Sequence, residues 1–150
     1  MTWNPADQKV YGAFYNTTKN GYVFGTLDLE TGAVNKLSDI TLQDDKGYPA
    51  GFVVIAANSI GEVYGISQMG DLYKFNTEDG SYSLIGATGY TPLYQQSGCF
   101  DFTTKQLYWA ACNENSSGIY QVNTDTGEAT LLGSFNDLEE FVGLYSLSPN

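Results

Sequence analysis

The sequence predicts an all-β fold built from a repeated unit, and three observations lead to that prediction. Apolar and aromatic residues alternate with polar ones in short runs such as Leu72-Tyr73-Lys74-Phe75, which is the period of a half-buried strand. Turn signals that end in glycine separate these runs at regular intervals. Glycine marks such turns because it readily adopts a positive φ. No stretch has the apolar spacing of a long helix, and only residues 136–141 are compatible with a single helical turn.

Three segments of the chain align with one another. Each has a strand that carries an anchor tyrosine, and these tyrosines are 53 and 44 residues apart: Tyr11, Tyr64 and Tyr108. Each later reaches a turn whose glycine recurs at spacings of 48 and 47 residues: Gly32, Gly80 and Gly127. We therefore divide the single domain, residues 1–150, into repeats at approximately 1–45, 46–92 and 93–137, followed by residues 138–150.

Each repeat is predicted to contain four short antiparallel strands. The first strand covers residues 51–57 and 98–102 in the second and third repeats, whereas the first repeat begins without a full first strand. The second strand carries the anchor tyrosine, and the third leads into the glycine turn. The fourth strand covers residues 33–37, 82–85 and 129–132.

Four strands in each unit of about 40–50 residues are typical of a β-propeller blade. A β-sandwich of about twelve strands is the alternative. A sandwich gives no reason for a tyrosine and a turn glycine to recur at the length of a blade, so we prefer the propeller.

The turn motifs also carry a resemblance to a known group of repeats. The motifs read LDLETG at 27–32, FNTEDG at 75–80 and VNTDTG at 122–127. This pattern resembles the YVTN and quinoprotein-like (WD40-like) blade families over nearly the whole chain. The resemblance implies propeller blades and identifies no ligand. The tryptophan position of quinoprotein repeats is not evident, so no cofactor is expected.

Three blades cannot close a ring, because closed propellers have about four to eight blades. We therefore expect a homodimer that forms a six-bladed ring, with a last strand of each chain pairing into the first blade of the other. The ring-closing residues are predicted to be Phe141, Val142, Leu144, Tyr145 and Leu147. The alternatives are a fragment, natural or engineered, of a longer propeller and a compact fold that is not a propeller.

The charge of the chain excludes several classes of function. Six Lys and Arg against 17 Asp and Glu give a net charge of −11, and there is no histidine. This balance argues against nucleic acid and membrane partners. The absence of histidine excludes catalytic schemes that depend on that side chain. Because Lys and Arg are scarce and Asn, Thr, Tyr and Gly are abundant, we expect an exported protein, extracellular or at a bacterial cell surface. Residues 1–10 are polar and do not resemble a signal segment, so export implies that the signal has been removed.

The candidate ligand-binding face combines two sets of loops that should share one end of the blades. One set joins the second and third strands at 15–21, 68–70 and 113–118, and the other joins successive blades at 38–50, 87–97 and 134–140. Rings that stack and amides that hydrogen-bond suit a glycan or a protein ligand. The candidate residues are Tyr15, Tyr48, Tyr90, Tyr94, Gln95 and Gln96. Alternatively, Tyr48 and Tyr90 pack between blades.

Other chemistry-bearing residues give weaker signals. Asp44 and Asp45 offer adjacent carboxylates to a cation, but they lack the alternating pattern of a calcium loop, and solvated loop charge is the preferred interpretation. Cys99 and Cys112 allow at most one disulfide, and two buried thiols are the preferred alternative. No nucleophile and base are ordered by a local motif.

Three functions remain open. The first is a non-catalytic binding module, the second is a glycoside hydrolase or polysaccharide lyase that uses channel carboxylates, and the third is a self-assembling building block without a ligand. Stacked loop tyrosines would favour the first function, whereas paired channel carboxylates would favour the second.

Overall fold

The computed structural model describes residues 1–146, which are almost entirely β-structure. Twelve strands form three four-stranded antiparallel sheets, numbered 1 to 3 along the chain. The strands are β1 (Thr2–Asn4), β2 (Lys9–Asn16), β3 (Gly21–Leu27), β4 (Val34–Ile40), β5 (Phe52–Ala57), β6 (Val63–Ser67), β7 (Asp71–Phe75), β8 (Tyr82–Ala87), β9 (Ser97–Asp101), β10 (Gln106–Cys112), β11 (Ser117–Val122) and β12 (Ala129–Ser134). The all-β prediction is confirmed, and three sheets rather than two exclude the sandwich.

Each sheet is a meander in which every strand pairs with the next strand along the chain. The anchor tyrosines occupy the same place in each: Tyr11 lies opposite Thr2 and Thr26, Tyr64 opposite Ala56 and Lys74, and Tyr108 opposite Cys99 and Gln121. The repeated sheets are compatible with propeller-like blades.

The turn between the third and fourth strands has the same hydrogen bonds in all three sheets. The Gly32 N–H donates to the Asp28 carbonyl oxygen at 2.8 Å, and the Glu30 N–H donates to Asp28 Oδ1 at 2.8 Å. Asn76 and Asn123 take the place of Asp28 in the other two turns. The turn glycines have φ of +73°, +76° and +88°, so the left-handed conformation explains why glycine recurs there.

A β-bulge also recurs at one place in each sheet. The register shifts directly after Phe24, Leu72 and Ile119, which leaves one extra residue in the fourth strand: Leu37, Ile85 and Leu132. The next residue pairs again with the third strand, and it is Ser38, Gly86 or Gly133. These equivalent positions allow one sheet to be compared with another residue by residue.

The hydrophobic core consists of two layers between the sheets. Between sheets 1 and 2, Tyr11 and Phe24 pack with Ile55, Val63 and Phe75. Between sheets 2 and 3, the buried residues come from both sheets and include Tyr64, Ile66, Leu72, Phe100, Leu107 and Trp109. Sheet 2 is therefore covered on both faces, which is why every residue of β6 is buried.

The first strands of the three sheets lie side by side, because β5 contacts both β1 and β9. The loops joining successive sheets and those joining the second and third strands lie at one end, here called the upper end. The glycine turns lie at the opposite, lower end. In residues 1–146, no helix has the length and apolarity that a membrane crossing requires.

The chain ends depart from the regular pattern. β1 has three residues, compared with six in β5 and five in β9. A 3-10 turn at Asn136–Leu138 forms within the predicted helical turn at 136–141. Residues 141–146, predicted as the start of the last strand, lie beside β9 without joining its ladder. Leu147, the last predicted ring-closing residue, lies outside the described residues.

Candidate functional site

The loop of residues 88–96 at the upper end is held by contacts with the sheets on either side. Thr88 donates to the Gly70 carbonyl oxygen through its backbone N–H at 2.9 Å and its Oγ1 at 2.6 Å. The Leu93 N–H donates to the Cys112 carbonyl oxygen at 2.9 Å. These bonds connect the loop to sheets 2 and 3, so its exposed side chains have a defined position.

Gln96, predicted as a ligand residue, is the last residue of this loop, and its side chain is buried. Its Oε1 accepts from Trp109 Nε1 at 2.8 Å, and its Nε2 donates to the carbonyl oxygens of Leu93 and Cys112 at 2.7 and 2.6 Å. A buried amide and a buried indole are both costly without partners. Gln96 therefore acts in this structure by supporting the loop.

Tyr90, a second predicted ligand residue, is half-buried and packs against sheet 3. Its ring meets Trp109 edge-on at 5.4 Å between centroids and lies 5.0 Å from the Tyr120 ring. Its hydroxyl donates to the Ser116 carbonyl oxygen at 2.6 Å. This position matches the alternative in which Tyr90 packs between repeats.

Tyr94 and Gln95 are exposed at the tip of the loop. Tyr94 has a φ of +67° and keeps 56% of its surface exposed. Together with segments from sheet 2 and the C-terminal part of the chain, they border a cleft of about 330 Å³, here called the upper cleft. It is lined by Phe52, Val53, Gln68, Tyr94, Gln95, Gln96 and Val142.

The upper cleft is uncharged in a protein whose net charge is −11. Its lining combines aromatic rings, aliphatic side chains and amides, which suits an uncharged ligand with hydroxyl or amide groups. One amide is already oriented, because Gln68 Oε1 accepts from the Gly51 N–H at 2.9 Å. The cleft can thus supply a stacking surface and directional hydrogen bonds.

Tyr48 is exposed on a separate loop of sheet 1. This loop is closed by a bridge between Gln43 and Pro49. Asp44 Oδ1 accepts from the backbone N–H groups of Lys46 and Tyr48 at 2.9 and 2.8 Å. The Asp44 carboxylate therefore stabilises its own turn. Residues 1–146 contain no group of three or more Cys, Asp or Glu side chains placed to hold a metal ion.

Tyr15 lies at the upper end of sheet 1, and it too is outside the upper cleft. Its ring packs edge-on against Tyr22 at 5.0 Å between centroids, and its hydroxyl donates to Asn20 Oδ1. Half of its surface remains exposed. The structure thus brings Tyr94, Gln95 and Gln96 together and leaves Tyr15 and Tyr48 apart from them.

Among residues 1–146, the carboxyl groups whose pKa values are shifted are all shifted downwards. Backbone N–H groups of the Asp28 turn lower the pKa of that residue, and Ser81 lowers that of Asp79. The hydrogen bond from Lys74 lowers the pKa of Glu62, with a 2.6 Å distance between Nζ and Oε1. Downward shifts favour the ionised form, whereas a general acid in a glycosidase requires a raised pKa.

Cys99 and Cys112 both carry free thiols. Cys112 is buried and Cys99 is half-buried, and burial raises the pKa of each thiol. A raised pKa reduces the thiolate fraction and so reduces reactivity. The structure therefore matches the alternative of two packed thiols.

The predicted ring-closing residues that the structure describes, all within residues 141–145, lie near the edge of sheet 3. Phe141 packs on Phe135 at 4.3 Å between ring centroids, and the Leu144 N–H donates to Ser97 Oγ at 2.8 Å. Val142 borders the upper cleft, and Tyr145 is exposed. The segment thus contacts β9 through Ser97, while Val142 shares the cleft with Phe52 and Val53 of sheet 2.

Sequence reasoning missed four residues of the upper cleft: Phe52, Val53, Gln68 and Val142. Gln68 belongs to a loop expected at this end, which was the available signal. The period-two pattern predicts Phe52 and Val53 as ordinary strand residues. It does not show that their strand begins at a cleft.

A scan against protein-family models and a search of curated proteins both find no match to this chain.

Proposed function

We propose that this chain is a non-catalytic binding module of the β-propeller type, with three blades of a six-bladed ring that a second copy completes. Its ligand is a neutral glycan held in the upper cleft, in an extracellular or bacterial cell-surface setting. The observation that carries the ligand proposal is the uncharged aromatic and amide lining of this cleft.

The ring is supported by residues that are covered in one sheet and open in another. Trp3, Ala57 and Phe100 are equivalent, since their pairing partners Val10, Val63 and Leu107 each precede an anchor tyrosine. Ala57 and Phe100 are 3% and 5% exposed, whereas Trp3 is 50% exposed. An open apolar sheet face is uncommon in a soluble monomer and indicates an interaction surface.

The C-terminal segment supports the same arrangement. The Leu144 N–H donates to Ser97 Oγ of β9, the first strand of sheet 3, and the first strand of a following blade would lie next to β9 as β9 lies next to β5. The hydroxyl of Ser146 also reaches Asp101 Oδ1 at 3.3 Å. We propose that this segment leads into the first blade of the second copy, whose own β1 has three residues.

A glycan is favoured over a protein ligand by the size and charge of the cleft. A volume of about 330 Å³ lies at the lower end of the range for small-molecule sites. Tyr94 offers a ring for stacking against a sugar, and Gln95 and Gln68 offer amides to its hydroxyl groups.

The test is a screen of the chain on an array of neutral oligosaccharides, followed by titration calorimetry of the best sugar. Tyr94→Ala should weaken binding by about tenfold, since an aromatic contact contributes about 0.5–1.5 kcal/mol beyond its buried area. Tyr48→Ala is the matched control, because Tyr48 is exposed at the same end but outside the cleft. Equal losses in both variants, or no bound sugar, would overturn the ligand proposal.

A further inference from the structure

One contact between neighbouring sheets occurs twice in the chain, at equivalent positions. The glycine turn of sheet 2 meets sheet 1 where Ser38 Oγ donates to the Gly80 carbonyl oxygen at 2.6 Å. The glycine turn of sheet 3 meets sheet 2 at Gly86. A Cβ atom added to Gly86 would lie 2.1 Å from the Thr126 carbonyl oxygen, so the backbones approach too closely for a side chain.

In both of these interfaces, the glycine turn of one sheet contacts the residue that follows the bulge in the preceding sheet. Ser38 and Gly86 are those residues in sheets 1 and 2, and Gly133 is the equivalent in sheet 3. Within residues 1–146, no sheet lies against the turn of sheet 1 in the way that sheets 1 and 2 lie against the next two turns. A Cβ atom added to either Gly32 or Gly133 would meet nothing within 4 Å.

We propose that a second copy of this chain docks on sheet 3 by seating its Thr31-Gly32 turn on Gly133. The inference rests on the proposed ring and specifies its contact. Gly133 would contact the turn of the second copy as Gly86 contacts the turn of sheet 3. The contact between copies would therefore repeat the one that already joins sheets 2 and 3 within the chain. A closed ring of two copies uses this contact twice.

The side chains around Gly133 are suited to the same partner. Leu132 is 53% exposed, whereas its equivalents Leu37 and Ile85 pack against the following sheet. Val34 is exposed beside the Gly32 turn, whereas its equivalents Tyr82 and Ala129 pack against the preceding sheet. Docking would thus cover Leu132 of one copy and Val34 of the other, as the internal interfaces cover their equivalents.

The experiment measures solution mass by light scattering after size exclusion at micromolar concentrations. The wild-type chain should have twice the mass of 16.4 kDa. Gly133→Val should have the single mass with an unchanged circular dichroism spectrum, since a Cβ atom added to Gly133 in the single chain meets nothing within 4 Å. Gly21→Val is the matched control and should remain dimeric, because Gly21 lies at the opposite end of sheet 1 from the Gly32 turn and its nearest neighbour is the Lys19 carbonyl oxygen at 4.0 Å.

Leu132→Asp provides a second test that leaves the glycine in place, and it should also give the single mass. A wild-type monomer would overturn the ring and this contact together. A dimeric wild type whose Gly133→Val and Leu132→Asp variants remain dimeric would overturn the contact alone and leave the ring. A partner other than a second copy would appear as a wild-type monomer.

Discussion

The three sheets are built from the same repeated unit, yet sheet 2 differs from sheets 1 and 3 in how many of its faces a neighbouring sheet covers. Sheet 2 packs against a neighbour on both faces through two apolar layers. The outward face of sheet 1 keeps Trp3 and Val34 exposed, and sheet 3 keeps Leu132 exposed. Equivalent residues on these faces are thus apolar whether or not a neighbouring sheet covers them.

The two internal interfaces also show what holds neighbouring sheets together. The layer between sheets 1 and 2 is aromatic, with the Phe24 and Phe75 rings stacked at 4.1 Å between centroids. The layer between sheets 2 and 3 adds the buried Trp109–Gln96 hydrogen bond. Apolar burial therefore supplies the main stabilisation of both interfaces, and polar contacts position the loops above them.

The largest expected change in the free energy of unfolding comes from comparing Phe100, which is covered by a neighbouring sheet, with its equivalent Trp3, which is exposed. Phe100→Ala should lower the free energy of unfolding by about 3–5 kcal/mol, because the ring is buried against Tyr64 between sheets 2 and 3. Trp3→Ala at the open face should change it by about 0.5 kcal/mol or less. Urea unfolding of the dilute, monomeric chain measures both values. Similar losses would mean that Trp3 is already covered within a single chain.

A smaller effect is expected at the bulge residues. Ile85→Ala should cost about 1–2 kcal/mol, since Ile85 is half-buried and packs against sheet 3. Leu132→Ala should leave the free energy of unfolding of the dilute chain within about 0.5 kcal/mol. The same urea titrations compare the two variants. A loss at Leu132 as large as that at Ile85 would show that the C-terminal segment covers it.

A third expected effect is a loss of stability at high pH that arises inside the covered interfaces. Burial, followed by the contact with Asp7, raises the pKa of Tyr11 to about 12, and burial with the charge of Glu62 raises the pKa of Tyr64 to about 12. The unfolded value is 10.0. The folded state therefore favours the protonated phenols, and this stability is complete below pH 10 and is lost as the pH rises through 12.

Thermal unfolding between pH 8 and pH 12 tests this dependence. The melting temperature should fall above pH 10 in the wild type, and the fall should be smaller in the Tyr11→Phe and Tyr64→Phe double variant. An identical slope in the two proteins would attribute the loss to other groups.

Much of the fold could be predicted because its signals are local. The turn at Asp28 is built from side-chain and backbone contacts within five residues, so the LDLETG motif contains all of its chemistry. The fourth strands are longer than predicted, for example Val34–Ile40 rather than 33–37. The extra length follows the bulge, which depends on pairing with the third strand and leaves no mark on the alternation of residues.

The candidate site was predicted only in part, because its residues come from distant segments. Tyr94 and Gln95 follow from the composition of one loop. The inward positions of Tyr90 and Gln96 depend on Trp109 and Ser116, which belong to the following sheet. Composition identifies aromatic and amide residues in a loop, but it does not show which of them are occupied by partners elsewhere in the chain.

Alternating residues and positive-φ glycines act over a few residues, so the strands, the glycine turns and their threefold recurrence can be predicted from the amino-acid order. Tertiary packing sets which faces are covered, which side chains enter the upper cleft and which turn glycine is without a neighbour. Those outcomes depend on contacts between residues that are tens of positions apart, such as Ser38 with Gly80 and Gly86 with Thr126. Contacts over such separations follow from the packing of whole sheets, which no local pattern encodes.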